Sequence, residues 1–95
     1  MDKGSEFHSA LGKYIKQMRL KSGLTQADVA KVLGYKAQFV ANWERGASSP
    51  PSHILRKLVT VLRIPEDEIL QLLNDISIRY WRSIVKADRG KKKHA

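Results

Sequence analysis

Apolar residues return at intervals of three and four along most of the chain, and no stretch alternates long enough to make a half-buried strand. The pattern predicts an all-α protein built from short helices. Leu11, Ile15 and Met18, joined by Tyr14, mark a first helix over roughly 10–22, with Ser9 as its cap and Gly23 as its stop. Thr25 stands three residues before Asp28, the spacing of a capping box, so a second helix starts at Gln26. It carries Val29, Ala30, Val32 and Leu33 to Gly34, where a residue without Cβ lets the chain turn. A third helix covers Ala37 to Arg45, with Val40 and Trp43 on one side and Gln38, Ala41, Asn42 and Arg45 elsewhere, and Gly46 ends it.

The paired prolines Pro50 and Pro51 follow two serines and make 47–51 a loop. A fourth helix restarts at Ser52, and Ile54, Leu55, Leu58, Val59 and Leu62 form its stripe up to about Arg63. Pro65 fits the first turn of a fifth helix. Glu66, Asp67 and Glu68 follow at its positive end, where their charge reads as electrostatic capping rather than catalysis. Beyond 73 the helical pattern continues through about Ala87 with apolar residues too numerous for one face. Ile69, Leu73, Ile76, Tyr80 and Ile84 form one stripe; Leu70, Ile78, Trp81 and Val85 form another. One stripe can pack on the domain while the other takes a partner, or a bent helix can fold both onto the core. The first reading is favoured, with Ile76, Ile78, Tyr80, Trp81, Ile84 and Val85 as a homodimer interface. Arg79, Arg82 and Lys86, interleaved with Tyr80 and Trp81, offer a nucleic-acid surface as the alternative.

Two short helices joined by a tight glycine turn, with Ala30 at the crossing and Val40 and Trp43 turned inward, describe a helix-turn-helix unit, which presents its second helix to the DNA major groove. The run "LTQADVAKVLGYKAQFVANWERG" at 24–46 resembles that unit in the lambda-repressor and Cro-like (Xre-type) DNA-binding family. The flanking "LGKYIKQMRLKSG" and "PSHILRKLVTVLRIPEDEIL" are similar to the family's first, fourth and fifth helices, so the likeness covers 10–73.

The resemblance implies a five-helix lambda-repressor-like domain with Ala37 to Arg45 as recognition helix and an additional C-terminal helical extension. Ala37, Gln38, Ala41 and Asn42 would face the bases, and Gln26, Lys36, Arg45 and Ser52 the DNA backbone. Gln38 and Asn42 are the expected readers, because an amide can donate to adenine N7 and accept from N6. Ala37 and Ala41 can meet only groove shape or a thymine methyl. Arg19 and Glu44 match a pair that the family joins by a salt bridge. Two positions depart from the pattern. Lys36 stands where a Ser or Thr cap is common, and Phe39 replaces a small polar residue, either packing over the edge of the second helix or touching a thymine methyl or sugar.

Composition narrows the functional classes. Ninety-five residues suit one small domain, and 42% apolar with 28% charged residues is a folding composition. Eighteen Lys and Arg against nine Asp and Glu give a formal charge of +9, which draws polyanions. The surplus is uneven: residues 8–46 hold seven basic and two acidic side chains, and residues 76–95 hold seven and one. Without cysteine there is no disulfide, thiolate metal site or thiol nucleophile. His8, His53 and His94 are scattered singly, so no metal or cofactor and no enzymatic activity are expected. No apolar run approaches the roughly 20 residues of a membrane span, no signal-peptide core follows the N-terminus, and a cytoplasmic, nucleoid-associated protein is expected.

The expected organisation is a frayed N-terminus or cloning-junction remnant over 1–8, a DNA-binding domain over 9–73, a helical extension over 74–88 and a basic tail over 89–95. The tail is either solvated or a phosphate-seeking arm. The expected function is a sequence-specific regulator of transcription, probing double-stranded DNA as a homodimer on a pseudo-palindromic operator, most simply as a repressor. The alternatives are an interaction adaptor docking a partner through its C-terminal helix, and an antitoxin-type autorepressor bound to a partner protein.

Overall fold

The computed structural model describes residues 3–92, with side chains described for 6–86. It holds five helices: α1 (Lys3–Lys21), α2 (Gln26–Leu33), α3 (Ala37–Glu44), α4 (Ser52–Val61) and α5 (Glu66–Lys92). No strand occurs among the described residues. The all-α, lambda-repressor-like architecture is therefore present, with the long fifth helix forming its C-terminal end.

Local signals start and stop the central helices as their residues require. The Thr25 hydroxyl accepts from the Asp28 amide at 3.0 Å, and the Asp28 carboxylate accepts from the Thr25 amide at 2.9 Å. Two of α2's orphan donors are thereby satisfied. Those bonds, the Thr25 amide first, hold the Asp28 carboxyl below its ordinary value of 3.8. At the other end Gly34 takes φ 75°, and the Tyr35 amide reaches back to the Ala30 carbonyl at 2.9 Å. A side chain at that φ would be strained, which is why the bend needs glycine.

One core joins all five helices. Leu11, Ile15 and Met18 from α1 meet Val40 and Trp43 from α3, with Val29 and Leu33, Ile54 and Leu58, and Ile69 and Ile76 added by α2, α4 and α5. α1 packs on α3 and α5, while α2 packs on α3 and α4. The α1–α3 contact depends on Gly12, whose missing side chain leaves room for the Trp43 carbonyl: a Cβ built there would lie 2.1 Å from that oxygen.

Both ends differ from expectation. The N-terminal segment is helical from Lys3, so Ser9 lies inside α1 rather than capping it. The reason lies at Phe7, which continues the spacing of Leu11, Ile15 and Met18 back by one turn and packs against the core. The His8 Nδ1 and Ser49 Oγ also lie 2.5 Å apart, tying that turn to the loop after α3. At the other end no break separates a domain from an extension near 73. α5 is one helix of 27 residues, with no proline inside it and a buried face carried forward by Ile69 and Ile76. The basic tail expected from Arg89 begins within this helix, and residues 93–95 lie outside the described ones. Ile76 is only 3% exposed, so it belongs to the chain's own core and not to a partner-facing surface. Ile78, Trp81 and Val85 do remain exposed, and Tyr80 and Ile84 are half-buried.

Candidate nucleic-acid interface

α3 is eight residues long, too short to hold its shape in isolation, and its inward face fixes it. Val40 and Trp43 are buried, and Glu44 beside them is only 8% exposed. A carboxylate so enclosed needs a partner, and Arg19 of α1 supplies a fork: Nε to Oε2 at 2.6 Å and Nη2 to Oε1 at 3.0 Å. Arg19 is itself 7% exposed, and its Nη1 donates to the Leu24 carbonyl at 2.8 Å. Hydrogen bonding to Glu44 raises the guanidinium pKa further above its ordinary value. The two residues expected to pair from the family pattern do meet, and they weld α3 to α1.

The same carboxylate reaches α2. Gln26, half-buried at the first position of α2, donates its Nε2 to Glu44 Oε1 at 3.0 Å. One amide proton and the amide oxygen of Gln26 are left for other partners, so the side chain is braced from behind and open in front. Sequence reasoning placed Gln26 on DNA but did not see that Glu44 holds it, since the two lie 18 residues apart.

The outward face of α3 is polar and self-connected. Gln38, Asn42 and Arg45 follow one another at helical spacing. Gln38 Nε2 donates to Asn42 Oδ1 at 3.0 Å, and Arg45 Nη2 donates to the same oxygen. Both lone pairs of that oxygen are used, which leaves the Asn42 amide protons and the Gln38 carbonyl oxygen as the outward donor and acceptor. Ala37 is exposed and Ala41 half-buried on this helix. Lys36 precedes it with extended backbone and makes no side-chain cap. Ser52 starts α4 after Pro51.

Phe39 is 47% exposed and stands edge-on to Tyr35, ring centres 5.2 Å apart. Tyr35 in turn contacts Trp43 at 5.5 Å. Phe39 is thus braced by the turn residue Tyr35, one end of an aromatic row that runs into the core.

This geometry agrees with what other proteins show. A helix-turn-helix family model matches residues 15–69, more than half of the chain. The chain belongs to the lambda-repressor-like helix-turn-helix family. That membership makes it a module of the DNA-binding regulator type and not an enzyme. The human protein endothelial differentiation-related factor 1 is 40% identical over 48 residues, which is 50% of this chain and 32% of that protein. The chain therefore spans about a third of the length of that curated relative. The crystal structure of the clp gene regulator ClgR from Corynebacterium glutamicum has the same fold, with a TM-score of 0.63 at 18% identity over 90% of this chain and 87% of that one. Among the described residues no group of His, Asp or Glu is placed to hold a metal ion, and no helix is long and apolar enough to cross a membrane.

Proposed function

We propose that the chain is a cytoplasmic, sequence-specific regulator of transcription that inserts α3 into the major groove of double-stranded DNA. The observation that carries the reading is the division of α3 into a face locked by Trp43 and Glu44 and a face of linked polar groups at Gln38, Asn42 and Arg45. A helix held so firmly from behind offers its donors and acceptors without further ordering cost, which is what base recognition requires. Ala37, Gln38, Ala41 and Asn42 lie against the bases; Gln26, Lys36, Arg45 and the start of α4 at Ser52 hold phosphates.

Binding as a homodimer would set two copies of α3 about 34 Å apart on a pseudo-palindrome, with repression by occupancy as the simplest outcome. Selection from random duplexes tests the reading. One enriched motif is expected, with affinity reduced at one position of it by Asn42→Ala and Gln38→Ala, each by about 1–3 kcal/mol. An adaptor reading is favoured only by the exposed apolar side of α5, and selection that yields no motif would leave that reading standing in place of DNA recognition.

A further inference from the structure

α5 has two apolar faces on opposite sides. Ile69 and Ile76 point into the core, while Leu70, Ile78, Trp81 and Val85 are 57%, 45%, 58% and 47% exposed. At about 100° per residue, the exposed set, together with Asp67 and Asn74, falls within roughly a quarter of the helix circumference. The face is thus a continuous seam, acidic at its N-terminal end and mainly apolar beyond it. Ile78, Trp81 and Val85, with the stems of Arg82 and Lys86, line a shallow depression on it.

The flank of that seam carries its own pattern. Asp75 lies toward the N-terminal end and Arg82 and Lys86 toward the C-terminal end, all three exposed. Gln71 Nε2 holds the Asp75 carboxylate at 2.9 Å, fixing its direction while leaving its second oxygen uncommitted among the described residues. A second helix lying parallel would set basic half against basic half. One lying antiparallel sets each basic half against an acidic one.

Accordingly we infer that two copies of this chain pair through antiparallel α5 helices, in a register with the twofold axis between Arg79 and Tyr80. This deepens the homodimer reading above and rests on it. In that register Ile78 meets Trp81 of the second copy, and Asn74 meets Val85. Asp75 falls between Arg82 and Lys86 of the other chain. The apolar centre supplies attraction, and the charges fix direction and register. Glu68 is not needed for this, since its carboxylate already accepts from the Tyr14 hydroxyl at 2.5 Å within the chain.

The natural absence of cysteine allows a direct test by disulfide trapping in the full chain. Asn74→Cys combined with Val85→Cys is expected to give covalent dimers under mild oxidation, at a solution mass of two chains, while either single variant stays uncrosslinked. Like positions are then about 16 Å apart along the axis, well beyond the roughly 7 Å that a disulfide tolerates. Efficient crosslinking of the single Asn74→Cys chain would overturn the antiparallel register and leave the homodimer standing. A mass of one chain at every concentration that binds DNA would sink the homodimer itself. A charge exchange gives a second readout on chains whose helicity is unchanged: D75K alone and R82D/K86D alone should each fall to the mass of one chain, and mixing the two should restore the mass of two. Failure of the mixture to associate counts against the register.

Discussion

α2 and α3 are equal in length at eight residues each, yet they are held differently at their starts. α2 secures its own ends: the Thr25–Asp28 box at the start and the Gly34 turn at the finish lie within a few residues of the helix. α3 finishes in the same way, with Gly46 at φ 78° and the Ala47 amide reaching the Asn42 carbonyl at 3.0 Å, but it begins at Lys36 with no side-chain cap and depends on α1 through Glu44, Trp43 and the Gly12 gap. The difference teaches where function sits. A helix that closes both its ends is scaffold, whereas one whose start stays open and whose rear is bolted to a neighbour can give its front and its first amides to a ligand.

Breaking α3's rear attachment should cost most. Glu44→Ala leaves Arg19 buried without its partner and releases Gln26, and about 3–5 kcal/mol of stability should be lost in denaturant unfolding. A loss below about 1 kcal/mol, the worth of an exposed pair, would show that the network does not bind α3 to α1.

Gly12→Ala attacks the same attachment through the backbone. The added methyl meets a carbonyl oxygen that is part of α3 and cannot rotate away, so α1 and α3 must separate. A destabilisation of about 3 kcal/mol is expected, the upper end for overpacking, measured by thermal or urea unfolding. If the variant melts like the parent, the close approach of the two helices is wrong.

Legibility from the sequence followed the same division between local and distant causes. The capping box, the Gly34 bend and the inward Val40 and Trp43 could all be read, because each signal lies within about one helical turn of what it controls. Arg19 with Glu44 lies 25 residues apart and was accessible only through family resemblance. Gly12 gave no signal at all, since a missing side chain has meaning only once the facing carbonyl is known. Ser9 misled because it is a good cap by type, while the apolar spacing already ran back to Phe7. The contact of His8 with Ser49, 41 residues away, could not be inferred from either.

Thr25→Ala moves to the self-contained helix, where the effect should be smaller. Loss of the hydroxyl leaves one amide donor unsatisfied and should cost about 1 kcal/mol, as caps generally do. The cap also carries a pH signature. Because the folded carboxyl of Asp28 titrates below its ordinary value, its contribution is complete above 3.8 and disappears as pH falls through the lower folded value. The parent should therefore lose its advantage over D28N as the solution is acidified through that window, with little change between pH 6 and 8. An advantage that persisted unchanged in strong acid would remove the reciprocal box.

Lys36→Ser makes the smallest change in stability and bears most directly on the comparison, because it gives α3 the kind of start that α2 already has. A serine in extended backbone at this position can accept from an early α3 amide, and unfolding should show a gain of about 0.5–1 kcal/mol. DNA affinity should move the other way. Removing one cation at the start of the groove-facing helix releases one counterion fewer on binding, so the slope of log affinity against log salt should shallow by about 0.9. The two readouts separate two explanations for the missing cap. Higher stability with a shallower slope means that the helix start is kept open for a phosphate; higher stability with an unchanged slope means that Lys36 is an indifferent cap with no part in the interface.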